Sequence, residues 1–560
     1  MAKQQDISLE IKEWGSMRDT GRNFNNQPLV ILNYRFDGTY LRTRPPHKRV
    51  MDNTTSGNYS PVGYGTFKRN GNIEKIFAHP NGRLWTQRSD SAAPVALTLG
   101  GANALPTNVT RVRMCQYFSR LYIIVYGGSP TAKLLEYDGT TNTVTDRTST
   151  LPAGVTTPVS IFKYGTRLGV ADEQGEIVLS KSDANITTDP TPWDTSNGAF
   201  SFIVGRGDGL TISNIASASG ILAISKELTA HRLTTLDKLT GATASEYRQD
   251  IVSPTHGFYG QGAVEIGSDI FGLHPAGFDM LRVLDQFGEG TLNTQRVNAA
   301  GLTGEVPKWI QKILEKINKN KTNIIIATYN ALLNEVYFSV PYGDNSNQNN
   351  LIIGIARRDN QYKYFLMTGP AQAWFQANGF VYFMDHRGEI WQMFNEDASS
   401  PEEGQYHKLI VTKWFDMLPD EDNTETISAP FDFLAQSVDV DIEGTTDKQK
   451  INIFWDVENI DKDTGTIRFS NNRKVGDEDL YKTAEKILSK WTQLHPTKLD
   501  LVITDIDTFD TAQSLRAIKT ARINQQASRV RVIISDDSAG LANLHTIRGL
   551  KINAIPTEVK

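Results

Sequence analysis

Apolar and polar positions along this chain alternate in short runs cut by Gly, Asp and Asn. One unit recurs: a small polar residue, an apolar run, a turn, then a second apolar run. It reads "NGRLWTQRSD" at Leu84, "SRLYIIVYGGSPTAKLLEYDG" at Leu121, "TRLGVADEQGEIVLSKSD" at Leu168 and "SGILAISKELTAHRLT" at Ile221. It continues as "SDIFGLHPAGFDMLRVLD" at Ile270, "NEVYFSVPYGDNSNQNNLIIGIARRD" at Val336 and "NGFVYFMDHRGEIWQMF" at Val381. Successive spacings are 37, 47, 53, 49, 66 and 45 residues. β-Branched and aromatic residues fill the runs and turn formers join them, so each copy predicts a β-hairpin. "DEQGE" and "DHRGE" are the clearest turns, with Gly175 and Gly388 free to take positive φ. One hairpin per roughly 40–65 residues is the density of propeller blades with extra loops. No WD40 or kelch signature accompanies it. The predicted fold is therefore mainly β, a degenerate β-propeller. Seven hairpins leave the blade number open, because one can belong to an insertion.

The stretch "SGILAISKELTAHRL" (219–233) tests this reading. "KELTAHRL" alone fits an amphipathic helix carrying Lys, Glu, His and Arg. The repeat instead makes "GILAIS" a strand, "KEL" a turn and "TAHRL" the returning strand. His231 and Arg232 then point to opposite faces and cannot share one catalytic site.

A different period interrupts at 305–321, "EVPKWIQKILEKINKNK". Trp309, Ile310, Ile313, Leu314 and Ile317 recur at helical spacing, with Pro307 near the start. This predicts one amphipathic helix packed on a sheet or on a neighbouring subunit. Around 396–430 the chain turns acidic and loop-like, and alternation returns with "SVDVDIEG", "INIFWDVEN", "LDLVITDID", "SRVRVIISDD" and "RGLKINAIPTEV". "DEDLYKTAEKILSKWTQL" reads as helical. The expected division is an N-terminal loop-rich arm or platform at 1–65, a propeller at 66–400 with the helical insertion, a linker at 401–430, and a C-terminal β-rich domain at 431–560.

Composition narrows the picture. At 560 residues the chain exceeds one ordinary core, so two or three domains are expected. Charged residues at 22% and hydrophobic residues at 39% exclude disorder as the main state. The formal net charge of -5 offers nucleic acid no bulk attraction. Cys115 is the single cysteine, which excludes an intrachain disulfide and a CxxC metal knuckle. It is expected to be a buried packing thiol. No apolar run approaches the roughly 20 residues that span a bilayer. "MAKQQDISLEIKEWGS" lacks an apolar signal region, so the chain is expected to be made and folded in a cytosol.

Candidate chemistry is sparse. Asp456 and Glu458, then Asp505, Asp507 and Asp510, then Asp536 and Asp537 end apolar strands, and such acids can gather around Mg²⁺. Their spacing superficially resembles nucleases of the PIN/NYN type. That fold needs alternating strands and helices, however, and Asp at strand ends is ordinary turn chemistry. Arg206-Gly207-Asp208 spells an adhesion tripeptide but reads better as a Gly-rich turn. "TDPTPWDTSN" resembles a sialidase Asp-box without its Gly-x-Thr-Trp ending, and it does not recur in each blade. No HxxxH, HExxH, GxSxG, Walker A or GxGxxG stands in a suitable context. The expectation is a non-enzyme with no catalytic, cofactor-binding or metal-binding residues and no cofactor.

One ordered series is more specific. From 164 to 285 a strand ends in "SKSD", a loop reaches "PWDTSNGAF", "VGRGDGLTISNIA" follows, then "GILAISKELTAHRL" and "GSDIFGLHPAGFDML". This series resembles the β-propeller tail proteins of short-tailed bacteriophages, called nozzle, tail hub or packaged-DNA stabilization proteins. "NEVYFSVPYG…LIIGIARRDNQYKYFLMTG" and "NGFVYFMDHRGEIWQMF" resemble that family's closing blades, and "SRVRVIISDD…TIRGLKINAIPTEV" its C-terminal β domain. The resemblance covers about 160–400 well and the rest loosely, through order and spacing and not an invariant motif. It implies a structural virion protein in a ring, usually of six copies, below the portal and adaptor proteins and beside tail fibres. Such a ring retains packaged genomic DNA and conducts it during ejection without sequence-specific binding. It is assembled in the host cytoplasm and has no integral membrane segment. Two other classes stay open: a receptor- or glycan-binding tail propeller, and an enzyme, either carbohydrate-active or a metal-dependent nuclease.

Overall fold

A computed structural model gives the fold. The described residues are 7–11, 30–235, 247–281, 296–298, 308–395, 408–416, 433–444, 450–460, 467–468, 507–510, 516–536 and 545–556, less gaps of one to three residues within those ranges. The chain forms two compact units. The larger holds 49–352 and 369–393, the smaller 1–48, 353–368 and 394–560.

The larger unit is a β-propeller. Its first blade comprises Gly63–Arg69, Asn72–Ala78, Leu84–Gln87 and Val95–Leu99. The second comprises Arg111–Tyr117, Arg120–Tyr126, Ala132–Tyr137 and Val144–Asp146. The third runs through Pro158–Tyr164, Arg167–Asp172, Glu176–Leu179 and Phe200–Ile203. The fourth has Ile212–Ala218, Ile221–Lys226, Ala230–Thr235 and Tyr247–Ser253. The fifth has Ala263–Ile266, Asp269–His274, Gly277–Leu281 and Arg296–Asn298. The hairpin Ile326–Asn330 with Glu335–Val340 follows as the sixth. The seventh has Ala373–Ala377, Phe380–Met384 and Ile390–Gln392. Its fourth strand is Lys48–Met51, from far upstream in the chain.

First strands of successive sheets neighbour one another all the way round, and Ala373–Ala377 returns to Gly63–Arg69. This answers the question of blade number with seven sheets in one ring. Joining a strand from upstream of the first blade to the strands of the last blade ties the ring shut, since each break then costs a row of backbone hydrogen bonds. Apolar positions on each sheet alternate between two neighbours. Phe67, Ile76 and Leu84 of the first blade pack with Val112, Ile123 and Leu135 of the second. Tyr122, Ile124 and Leu134 of the second pack with Ile161, Leu168 and Val178 of the third.

Six of the seven repeat marks (Leu121, Leu168, Ile221, Ile270, Val336 and Val381) fall in second strands of consecutive blades. Leu84 lies one strand further out, in the third strand of its blade. The predicted helix is present as Lys308–Glu315, with Ile310, Ile313, Leu314 and Ile317 buried. Pro307 lies outside the described residues.

The smaller unit is built from two sheets. One orders Tyr34–Asp37, Tyr40–Thr43, His545–Pro556, Phe433–Gly444 and Arg516–Ala527, with Ile7–Ile11 also on His545–Pro556. In "SVDVDIEG", Val438, Val440 and Ile442 are buried, while the alternating Asp439, Asp441 and Glu443 are only partly covered. The other orders Gln361–Thr368, Val30–Leu32, Lys408–Val411, Arg529–Asp536 and Lys450–Ile460. Two expectations therefore change. The strands at 7–43 belong to the sheets of the C-terminal region, and Lys48–Met51 and Gly63–Arg69 belong to propeller blades, so 1–65 does not form a separate arm. Lys408–Val411, inside the stretch read as a linker, is a buried strand paired on both sides. Runs of three or four residues carry too little alternation to reveal such distant pairing. All of 417–432 and the helix expected at 477–494 lie outside the described residues.

Candidate functional site

The turn "DEQGE" joins the second and third strands of the third blade, and "DHRGE" holds the same place in the seventh. In each, the leading Asp caps the turn. Asp172 Oδ1 accepts from Gln174 N at 3.0 Å, and Asp385 Oδ1 from Arg387 N at 2.9 Å. Gly175 and Gly388 take φ of 101° and 82° and donate back to the Asp carbonyls. Asp385 also accepts from Glu389 N at 2.9 Å. Burial pushes its carboxyl up to about 6 despite those donors. His79 lies beside this turn, 3.7 Å from the position a Cβ on Gly388 would take. It is fully buried, and neither ring nitrogen makes a hydrogen bond of good geometry, although the Ser56 backbone is near enough to favour its charged form. Burial pulls it down to about 4.

Blade seams carry buried charges that the repeat pattern did not single out. Glu74 of the first blade accepts from Thr86 Oγ1 and from Tyr137 OH of the second, both at 2.8 Å. Glu136 of the second blade accepts from Arg147 Nε and from Thr187 Oγ1 of the third, both at 2.9 Å, and pairs with Arg120 at 3.0 Å. Lys75 is bonded to Asp90 at 2.6 Å and sits 4.1 Å from the ring centroid of Tyr382 in the seventh blade. Each charge has its partners, as burial demands. A charged residue inside an apolar run is the signal that would have found them.

"SGILAISKELTAHRL" forms such a seam. Ile221–Lys226 and Ala230–Thr235 pair antiparallel, with His231 opposite Ile224 and Arg232 opposite Ala223. The strand reading and the separation of these two residues both hold in the register. Lys226 is buried, and its Nζ donates to Asp208 Oδ1 at 2.7 Å, Val204 O at 3.0 Å and Gly205 O at 3.4 Å. All three ammonium hydrogens are used. The carboxylate of the adhesion-like tripeptide is thereby committed to the fold, since Asp208 also accepts from Leu210 N at 2.9 Å. Arg206 and Gly207 lie outside the described residues. His231 is buried and meets Thr229 Oγ1 at 3.0 Å, and burial with nearby Lys226 holds it below the usual range.

The other candidates resolve into structural chemistry. Asp194 of "PWDTSN" caps the short helix Thr195–Asn197, accepting from Ser196 N at 2.8 Å. Cys115 lies on the first strand of the second blade and is half-buried, not fully buried as expected, packed against the core between the second and third blades; desolvation pushes its thiol up to about 12, so it stays protonated. In the smaller unit, register sets Asp456 opposite Arg531, Glu458 opposite Arg529, Asp510 opposite Lys450 and Asp536 opposite Lys408. Asp507 faces Ile453, while Asp505 and Asp537 lie outside the described residues. Among the described residues, no three His, Cys, Asp or Glu come together as a metal-holding group. No described helix is long and apolar enough to cross a membrane.

No family model matches the chain, and no curated protein matches it. Among solved structures it is similar to YCF48 from Cyanidioschyzon merolae, with 8% identity, a TM-score of 0.40, and coverage of 63% of this chain and 100% of that one. It is similar to the WD40 β-propeller domain of Doa1 at 7% identity and a TM-score of 0.35, covering 61% and 95%. BamB from Moraxella catarrhalis gives 11% identity and a TM-score of 0.30, covering 64% and 99%. Similarity at this level carries no functional argument. The chain's own strand order makes it a mainly β protein with a degenerate β-propeller.

Proposed function

We propose that this chain is a structural virion protein of a bacteriophage tail. Copies assemble, six to a ring, into a nozzle or hub below the portal-side adaptor, with tail fibres as further partners. The ring holds the packaged DNA and conducts it at ejection. The observation that carries this reading is the ordered series 164–285, whose resemblance to short-tailed phage nozzle proteins spans three consecutive blades. The chemistry agrees with it. Buried charges such as Glu74, Lys75, Glu136 and Lys226 are committed to blade seams, which suits a scaffold. A net charge of -5 per copy makes an assembled ring strongly acidic, and an acidic tube repels phosphate and lets DNA slide. Particles assembled without this chain test the reading. Heads that fill with DNA and then lose it support it, and particles that retain DNA and eject normally contradict it.

One observation favours a second reading, a receptor- or glycan-binding tail propeller. Phe118, 57% exposed, stands on the turn between the first and second strands of the second blade, and Phe380, 48% exposed, begins the second strand of the seventh. Saccharide binding abolished by Phe118→Ala together with Phe380→Ala, with particle DNA retention intact, selects that reading.

A further inference from the structure

The segment 52–62 carries the chain from the seventh blade to the first. It leaves Lys48–Met51, the edge strand of the seventh, and enters Gly63–Arg69, the first strand of the first. On the way it lies across the "DHRGE" turn like a strap. Asn53 Nδ2 donates to Arg387 O at 3.2 Å. A Cβ on Gly388 would lie 3.0 Å from Gly57 O and 3.1 Å from Tyr59 O, so the strap's carbonyls press on the turn.

Little else fastens the strap. It holds no helix or strand, and Ser56 is its one buried residue. Gly57 N donates to Asn53 O at 2.8 Å and Tyr59 N to Gly57 O at 3.1 Å, both within the strap. Val62 N donates to Ala78 O at 2.9 Å, where the strap meets the first blade. Few buried contacts and exposed backbone bonds mark a segment that opens by itself, ahead of the blades.

His79 lies beneath it. The imidazole stands 5.5 Å from the Tyr59 ring of the strap and 5.3 Å from the Phe77 ring of the first blade, centroid to centroid. Its Nε2 is 3.7 Å from the place of a Cβ on Gly388. One fully buried side chain thus touches strap, first blade and seventh-blade turn together. A proton on it finds little support there. Burial opposes the charge, as does Arg83, and the Ser56 backbone alone favours it. The acids of the turn are committed elsewhere. Asp385 accepts from Arg387 N and Glu389 N, both at 2.9 Å, and Glu389 pairs with Arg49 at 3.2 Å. His386 and Arg387 of the turn are half-buried, and Asp52 of the strap is exposed and bonded to Thr54. With the strap lifted, water solvates the imidazolium, so a proton on His79 favours the lifted state.

We infer that His79 is an acid-sensitive latch on the ring closure: its protonation releases the strap 52–62 from the seventh-blade turn while the blades stay folded. The latch is independent of the proposed tail function. The covered imidazole titrates near 4 and a solvated one near 6.5, so opening is favoured by roughly 10–100-fold on going from pH 7 to 4.5.

Hydrogen exchange read by mass spectrometry on the full chain at pH 7 and 4.5, with intrinsic exchange rates corrected at each pH, tests this. In the wild type, peptides covering 52–62 are expected to lose protection at least about tenfold at pH 4.5. Arg120–Tyr126, the second strand of the second blade, should keep its protection. His79→Phe keeps a ring between Tyr59 and Phe77, takes no proton and should abolish the loss. His79→Gln is equally unable to titrate there and gives the same test if the phenylalanine variant does not fold. Asp385→Asn should still show the loss, which separates His79 from the carboxyl beside it. The inference is overturned by a wild-type strap that keeps its protection, by a loss that persists in the neutral His79 variants, by one that Asp385→Asn abolishes, or by an equal loss in Arg120–Tyr126, which is unfolding of the ring as a whole.

Discussion

The Tyr137 hydroxyl donates to the Glu74 carboxylate across the seam of the first and second blades, 2.8 Å away and out of contact with solvent. Burial raises the phenol to about 12, so Tyr137 remains a donor at any pH the protein meets. Tyr137→Phe removes that donor and leaves a buried carboxylate with Thr86 and distant Arg88. The expected loss is about 1–3 kcal/mol by chemical denaturation. A loss near zero shows that the seam does not depend on this bond.

The Lys226–Asp208 pair gives an ordering of two variants. Lys226 is buried, whereas the Asp208 side chain is 28% exposed. Lys226→Met leaves a carboxylate that water can reach. Asp208→Ala leaves a buried ammonium with only two carbonyl acceptors. Asp208→Ala should therefore cost more than Lys226→Met, by about 1 kcal/mol or more. The reverse order in paired denaturation curves counts against the clamp.

Two buried groups beside the "DHRGE" turn give opposite pH dependences. His79 titrates near 6.5 when unfolded and near 4 when folded, so the unfolded chain binds the extra proton and stability falls as pH drops through that window. Asp385 titrates near 3.8 when unfolded and about 6 when folded, so the folded chain binds the extra proton and stability rises as pH drops from 6 to 3.8. Each effect reaches at most about 3 kcal/mol, and in the wild type they largely cancel. Asp385→Asn should fall in thermal midpoint between pH 7 and 4.5. His79→Phe should rise or hold over the same range. Parallel pH curves for the two variants contradict these assignments.

Gly63 tests how closely the first strands approach. Its φ is not positive, so the constraint is space and not backbone conformation. Gly63→Ala places a methyl against Val112 and should destabilise by about 1–3 kcal/mol in thermal or denaturant unfolding. A neutral substitution shows that the ring relaxes there.

Much of the propeller was legible because hairpins write themselves locally. Leu121, Leu168 and Val381 sit in runs whose alternation and turn residues lie within one stretch of sequence, and "DEQGE" and "DHRGE" reveal both turn and cap. What stayed hidden is set by distant partners. Lys48–Met51 completes the seventh blade, and Val30–Leu32 pairs with Leu366 and with 409–411, yet neither run is long enough to show a period. The seam charges were equally hidden, because Glu74 and Lys226 look like solvated polar positions until the neighbouring blade supplies their partners. The acids of "FWDVENI" read as ordinary turn chemistry at a strand end, yet register sets Asp456 and Glu458 inside the strand Lys450–Ile460, opposite Arg531 and Arg529.

The tail-nozzle reading is tested most directly by electron cryomicroscopy of the assembled particle with this chain located in the map. The predicted result is a six-fold ring encircling an axial channel beneath the portal-side adaptor. A peripheral appendage off the tail axis, or a particle that lacks the chain altogether, contradicts it.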